Sequence, residues 1–162
     1  MTAPTLVVPT RIRDAIVAHA REGAPEEVCG VLAGTRDGDD HRVEARLPAA
    51  NAAESPRTRY EIDPREQLDL LERIEGSDRE VVGFYHSHPR GPVGPSETDA
   101  AQATWPGRSY AIASLAGPAS EAGEDEASGD ASLGSWRWTG DEFVEEALRV
   151  VDSETGGSDD PE

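Results

Sequence analysis

The sequence has 162 residues, of which 36 % are hydrophobic, and this is enough chain for one domain with its own core. Fifteen arginines, no lysine and 33 acidic residues give a formal net charge of −18, which argues against binding to nucleic acids or to anionic membranes. No apolar run approaches the roughly 20 residues of a membrane span, and the N-terminus lacks a signal-peptide pattern.

The composition also indicates the solvent and the compartment. Abundant acid without lysine is typical of salt-accumulating halophiles, because exposed carboxylates stay hydrated and molar salt shortens the Debye length to about 3 Å. The single Cys29 cannot form an internal disulfide, so nothing indicates an oxidising compartment. We therefore expect a cytoplasmic protein, and the charge reflects its solvent rather than its substrate.

Helices and strands alternate along the first two thirds of the chain, which predicts an α/β fold with a mixed central β-sheet. The predicted elements are, in chain order, a helix at 10–22, strands at 26–35, 41–47 and 57–63, a helix from Pro64, a strand at 80–88, a Pro/Gly-rich loop at 89–95, a short helix after Ser96 and a strand at 109–116.

The C-terminal third is less regular. Residues 117–131 are acidic and of low complexity, which predicts a mobile surface loop, and 151–162 are expected to form a disordered tail after a single domain at 1–150. The segment 132–150 stays open between two interpretations. Its first half alternates like a strand and turn, whereas Phe143, Val144, Ala147 and Leu148 fit helical spacing.

Three side chains near the strongest strand point to metal chemistry. His86 and His88 are two residues apart at the end of the strand and therefore face the same side. Asp99 follows eleven residues after His88, in the first turn of the next helix. Two histidines and one carboxylate, with a fourth position left to water, make a catalytic zinc site. Alternatively, Ser96 and Asp99 form only a helix capping box, and each histidine is simply hydrogen-bonded.

These residues lie in a segment that resembles the signature of the JAMM, or MPN+, metalloproteases. GFYHSHPRGPVGPSETD (83–99) is similar to the family pattern of H-x-H-P, a short loop and P-S-x-x-D. PEEVCGVL (25–32) places Glu27 where the family has a glutamate on an early strand. The resemblance implies a single-domain α/β fold of the MPN type, with a mixed central sheet flanked by helices.

The resemblance also implies a role for each residue of the site. His86, His88 and Asp99 would bind Zn²⁺, and Glu27 would take a proton from the attacking water and pass it to the leaving amine. Ser96 would donate a hydrogen bond to the developing oxyanion. Glu26 is the alternative to Glu27, but alternation along a strand lets only one of the two face the site.

The reaction implied is hydrolysis of the bond that follows the C-terminal glycine of a ubiquitin-like modifier, in archaea a small archaeal modifier protein. Trimming of a ubiquitin-like sulfur carrier, a non-catalytic MPN scaffold and a protein resembling the RadC family are the alternatives. A zinc deaminase is excluded, because the sequence has no P-C-x-x-C motif. The oligomeric state stays open.

The remaining cysteine, histidine, tryptophan and arginine residues considered lie outside the proposed metal site. Cys29 is expected to be a small buried residue, and the tryptophans are expected to pack in or beside the core. His19 and His41 are expected to be surface or hydrogen-bonded histidines. Two arginines are expected to flank the site and to be able to meet an acidic substrate tail, Arg90 and Arg108.

Overall fold

The computed structural model describes residues 4–57, 59–89, 94–103, 105–115 and 132–151. Arg90, the acidic segment 117–131 and residues 152–162 of the predicted tail lie outside these ranges, and the predictions made for them stay predictions.

The described residues form a mixed α/β structure. Its elements are β1 (Thr5–Pro9), α1 (Thr10–Gly23), β2 (Cys29–Asp37), β3 (Asp40–Ala49), α2 (Pro64–Glu75), β4 (Glu80–His88), α3 (Glu97–Gln102), β5 (Ser109–Ser114), β6 (Ser132–Trp138) and β7 (Phe143–Val151). Among these residues no helix has the length and apolarity needed to cross a membrane.

The strands close into a barrel in the order β1, β3, β2, β4, β5, β6, β7. β1 runs parallel to both β3 and β7 and so joins the two ends of the sheet. β4 and β5 are also parallel, whereas the remaining pairs are antiparallel. The mixed sheet with helices packed on it confirms the predicted fold class.

Two apolar cores cover the two faces of the sheet. Helix α1 packs Ile12, Ile16 and Ala20 into one core, which also contains Tyr85 of β4. Helix α2 packs Leu70 and Ile74 into the other, because side chains four apart lie on one helical face. Successive residues of β4 point to opposite faces, so the strand contributes to both cores.

The structure corrects one predicted strand and shows one that was not predicted. Of the predicted strand at 57–63, the described residues 57 and 59–63 do not form a strand. Ile62 makes a single antiparallel bridge to Asn51, and the chain then enters α2 after Asp63, whose carboxylate caps the helix. Strand β1 was missed because it is short and pairs in parallel with strands distant in the sequence.

The segment 132–150 resolves to two antiparallel strands. Trp138 pairs with Phe143 across a turn in which Gly140 has a φ of 108°, a conformation that favours glycine. Of the two interpretations left open, the structure shows the strand, because the pairing of Phe143–Val151 with β6 and β1 overrides the helical spacing of Phe143, Val144, Ala147 and Leu148. β7 includes Val151, which lies in the predicted tail.

Candidate metal centre

The two histidines lie at the carboxyl end of β4, on the face covered by α2. His86 and His88 are buried, with 0 % and 3 % of their surface exposed. The strand brings them together because residues two apart share a face, and their ring centroids are 5.0 Å apart. Burial lowers the pKa of His86, with Asp99 opposing the shift, and a neutral imidazole is the form that binds metals.

Asp99 comes from the first turn of α3, which begins after the Pro/Gly-rich loop. Ser96 is the N-cap of this helix: its Oγ accepts from the Asp99 amide at 3.0 Å, while its own amide donates to Asp99 Oδ2 at 2.9 Å. The predicted capping box is therefore present. It does not compete with a ligand role, because it orients the carboxylate toward the histidines.

The three side chains converge on one point. Asp99 Oδ1 lies 3.2 Å from His86 Nε2, and Asp99 Oδ2 lies 3.0 Å from His88 Nε2. All three potential ligand atoms lie within 4.8 Å of one another. Although burial opposes ionisation of Asp99, its contacts with both histidines and with the Ser96 amide hold its pKa well below the usual range. The residues thus form a possible metal site.

Glu27 lies beside this cluster, just before β2. Its side chain is buried, whereas that of neighbouring Glu26 is exposed, so only one of the two faces the site. Burial raises the Glu27 pKa to about 7; the charge on His88 lowers it and that on Asp99 raises it. A carboxylate with a pKa near neutrality is suited to accept a proton and return it.

The fit to a metal ion rests on atoms that the protein leaves without hydrogen bonds. Both ring nitrogens of His86 and Oε1 of Glu27 are buried and make no hydrogen bond within the described residues. His86 Nε2 is close to Asp99 but not aligned for one. Such atoms are rare and require an explanation. Two imidazole nitrogens and one carboxylate oxygen are a suitable donor set for zinc with an open position.

Two residues next to the site were missed by the sequence analysis. Ser87 lies between the histidines, and its Oγ accepts a hydrogen bond of 2.8 Å from the Val28 amide, so it joins β4 to the segment that carries Glu27. Tyr60 stacks on His86 with ring centroids 4.4 Å apart and an interplanar angle of 22°. No local pattern identifies Tyr60, because a loop brings it there.

The remaining candidates have structural environments. Cys29 is buried, and burial raises the pKa of its thiol to about 12, which favours the neutral thiol over the nucleophilic thiolate. His19 hydrogen-bonds to Tyr85 at 2.8 Å and His41 to Ser109 at 2.9 Å, as expected of satisfied histidines. Trp105 packs against the α2-side core beside Phe84.

The prediction for Arg108 is wrong. Its Nε donates to the Val81 carbonyl at 2.7 Å, near the start of β4 and five residues before His86. It lies over the Trp105 ring at 5.6 Å rather than flanking the histidines. Five strand residues span about 17 Å, which places this arginine at the opposite end of β4.

Comparison with known proteins supports the same interpretation of the chain. Residues 9–128 match the family described as prokaryotic homologs of the JAB domain. A desampylase from Haloferax volcanii is 44 % identical over 154 residues, covering 93 % of this chain and 99 % of that protein. A CysO-cysteine peptidase from Mycobacterium tuberculosis is 41 % identical over 117 residues, covering 72 % and 78 % of the two chains.

A solved structure has the same fold. The solution structure of a protein from Desulfitobacterium hafniense superposes with a TM-score of 0.76 at 33 % identity, covering 91 % of this chain and 93 % of that one.

Proposed function

Because the chain belongs to the family of prokaryotic JAB-domain homologs, we propose that it is a zinc-dependent hydrolase that cleaves the bond after the C-terminal glycine of ubiquitin-like modifier conjugates. The observation that carries this proposal is the convergence of His86, His88 and Asp99 beside a buried Glu27 whose Oε1 makes no hydrogen bond within the described residues. The named peptidases among its relatives support the same reaction class.

His86, His88 and Asp99 are the residues that would hold the zinc ion. When bound, zinc acidifies a water molecule and polarises the scissile carbonyl. The protein's own contribution is rigidity. β4 fixes both imidazoles, and the α3 capping box fixes the carboxylate, so the donor set exists before any ion binds.

Glu27 acts as the general base. As the water oxygen bonds to the carbonyl carbon, Glu27 Oε1 accepts the proton that the water loses. The C–N bond then breaks, and the same proton goes to the leaving amine nitrogen. The raised pKa of Glu27 suits both transfers, because a group that titrates near pH 7 gives up its proton as readily as it takes it.

Ser96 stabilises the oxyanion. Its Oγ already accepts a hydrogen bond from the Asp99 amide, and a hydroxyl carries one further proton to donate. The capping geometry therefore leaves the Ser96 hydroxyl proton for the carbonyl oxygen of the substrate, where negative charge develops.

Two substrates share this mechanism. The desampylase relative favours an isopeptide bond between a small archaeal modifier and a lysine side chain. The CysO-cysteine peptidase relative favours release of a cysteine from the C-terminus of a sulfur carrier. Both leave an intact modifier ending in glycine, so the site residues are the same for either. A cytoplasmic location accords with the buried free thiol of Cys29.

The first experiment is a cleavage assay in molar salt, with a ubiquitin-like modifier joined through its C-terminal glycine either to a lysine side chain or to cysteine. We expect release of the intact modifier, loss of activity with a zinc chelator and recovery on adding zinc. Chelator-resistant cleavage would contradict the metal mechanism. Absence of cleavage in a preparation with one zinc per chain would contradict the substrate class.

The ligand set is tested by zinc analysis of Asp99→Ala and its control Glu97→Ala. Both residues lie in the first turn of α3, and Glu97 is exposed. We expect Asp99→Ala to lose zinc and activity together, whereas Glu97→Ala keeps both. Full zinc occupancy in Asp99→Ala would remove that carboxylate from the proposed ligands.

A further inference from the structure

Asn51 follows β3 and is the only asparagine in the sequence. Its side chain joins two separate segments of the chain. Nδ2 donates to the Glu27 carbonyl at 2.9 Å and to the Arg59 carbonyl at 3.0 Å. Oδ1 accepts from the amides of Ala53 and Glu61, both at 3.0 Å. Nδ2 also makes a longer contact of 3.5 Å with the Pro56 carbonyl. A carboxamide offers two N–H donors and two acceptor sites, so the four shorter bonds use all of them.

The first segment held by Asn51 carries the proposed base. The Glu27 amide donates to the Pro56 carbonyl at 2.7 Å, and the Glu27 carbonyl accepts from Asn51. The next amide, that of Val28, donates to Ser87 between the two histidines. Both peptide groups of Glu27 are therefore fixed, although Oε1 of its carboxylate makes no hydrogen bond to any residue that the structure describes. The hydrogen bonds of the backbone therefore set the direction of the Glu27 side chain.

The second segment held by Asn51 is 59–61, which carries Tyr60. Asn51 holds it from both sides of Tyr60, through the Arg59 carbonyl and the Glu61 amide. The backbone adds a bond from the Ala52 amide to the Glu61 carbonyl at 2.7 Å. Tyr60 is thereby placed over the ring of His86. One carboxamide thus bonds both to the backbone of the proposed base and to the residues on either side of the ring that stacks on His86.

We propose that Asn51 is a positioning residue of this hydrolase: its Nδ2 holds the backbone of Glu27, and its Nδ2 and Oδ1 together anchor the segment that places Tyr60 on His86. The inference rests on the proposed function for its catalytic readout. The structural part of the inference is that the Asn51 side chain couples the segments of Glu27 and Tyr60. It is tested independently of the proposed function.

Two substitutions separate the two halves of the carboxamide. Asn51→Asp keeps an acceptor for the amides of Ala53 and Glu61 but has no N–H for the carbonyls of Glu27 and Arg59, whereas Asn51→Ala loses every side-chain bond. We expect kcat to fall in both variants by about 10- to 100-fold, because a displacement of about 1 Å at a reacting group has an effect of this size. KM and the zinc content should stay close to those of the wild type.

Asp63→Ala is the control, since Asp63 lies in the same connection between β3 and α2 as Asn51, but at its α2 end. Its carboxylate caps α2 through the amides of Arg65 and Glu66 and touches neither Glu27 nor Tyr60. We expect this variant to melt at a lower temperature with kcat unchanged.

Wild-type kcat in either Asn51 variant would overturn the inference. A decrease in kcat that only tracks lost zinc or lost folded protein, as a stability defect does, would overturn it as well.

Hydrogen exchange in the zinc-free protein supplies the second readout. We expect the Glu61 amide to exchange faster than in the wild type in Asn51→Ala but not in Asn51→Asp, and the Glu27 amide to exchange faster in both. Unchanged exchange in Asn51→Ala would overturn the inference. Should the wild-type chain cleave no conjugate, the proposed function fails, and exchange alone then decides whether Asn51 couples the two segments.

Discussion

Glu26 and Glu27 are adjacent residues of one type with opposite environments. The Glu26 side chain is exposed, whereas Glu27 is buried beside His88 and Asp99, whose charges act on its pKa. A buried carboxylate is retained only where other interactions or a function compensate for its desolvation. The contrast makes the pair a matched test of the proposed base.

We expect Glu27→Gln to keep zinc and to lose about 100-fold or more in kcat, because general-base catalysis contributes about 10²- to 10⁴-fold and an amide cannot accept the proton. Glu26→Gln should cleave at the wild-type rate. The measurement is steady-state kinetics with zinc analysis of both variants. Equal rates for Glu27→Gln and the wild type would show that another group is the base.

His41 makes the stability of the fold sensitive to acid. It is 2 % exposed, and burial, aided by the charges of Arg137, Arg36 and Arg108, lowers its pKa to about 4, although a hydrogen bond with the Val82 backbone raises it slightly. Because this value lies below 6.5, the unfolded chain takes up the proton first as the pH falls. The free energy of unfolding then decreases from pH 6.5 down to about 4, by about 3 kcal/mol in all.

We expect His41→Gln to remove much of this acid sensitivity, since glutamine donates a hydrogen bond but does not titrate in this range. Urea unfolding at pH 7 and at pH 4.5, with chelator present, measures the effect. The wild type should lose more stability than the variant over this interval. The acidic side chains are the same in both proteins, so their titration contributes equally to the two losses and cancels in the comparison. If the wild type and His41→Gln lost the same stability, His41 would not be neutral and buried in the folded protein.

At the scale of elements, the hairpin of β6 and β7 contains a buried ion pair that braces the sheet near its closure with β1. Glu146 Oε1 lies 2.6 Å from Arg137, and its Oε2 accepts from Ser135 at 2.5 Å. The Glu146 side chain is 0 % exposed and that of Arg137 is 13 % exposed, so the pair is largely shielded from water. The exposed pair of Arg36 and Glu80, 3.0 Å apart, provides a comparison within the same sheet.

We expect Glu146→Ala to lower the free energy of unfolding by about 3 kcal/mol, because it leaves the largely buried Arg137, 13 % exposed, without its carboxylate. Glu80→Ala should change stability by about 1 kcal/mol or less, since water screens that pair. Urea unfolding at pH 7 compares them. Losses of equal size would mean that burial does not distinguish the two pairs.

For the whole molecule, the dominant quantity is the net charge of −18. Like charges on a compact surface repel one another more strongly than in the expanded unfolded chain, so the folded state is destabilised wherever they are unscreened. The Debye length falls from about 10 Å at 0.1 M salt to about 3 Å at 1 M, which removes most of this repulsion.

We therefore expect the melting temperature to rise with NaCl concentration, most steeply below about 1 M, where the Debye length changes most. Differential scanning calorimetry across a salt series measures this, with sucrose as an uncharged control for solvent exclusion. If the melting temperature did not change with NaCl, or rose equally in sucrose, screening of charge repulsion would not be the cause of the stabilisation.

Local chemistry in the sequence predicted strand β4 to the residue, the cap of α3 and the three clustered side chains. Their pattern is contained in residues 80–99, where period-two alternation and a capping box act over short range. Glu27 is 59 residues away from His86, and its place beside the site was predicted from a family resemblance rather than from local pattern.

The amino-acid sequence by itself therefore determined the fold class, the charge and the donor atoms offered to a metal ion, because these depend on composition and on residues near one another in the chain. The tertiary structure decided the rest. It closed the barrel through β1, made strands of 143–151, buried Glu27 rather than Glu26 and brought Asn51 and Tyr60 to the site. Those outcomes depend on contacts between segments distant along the chain, which local propensity does not encode.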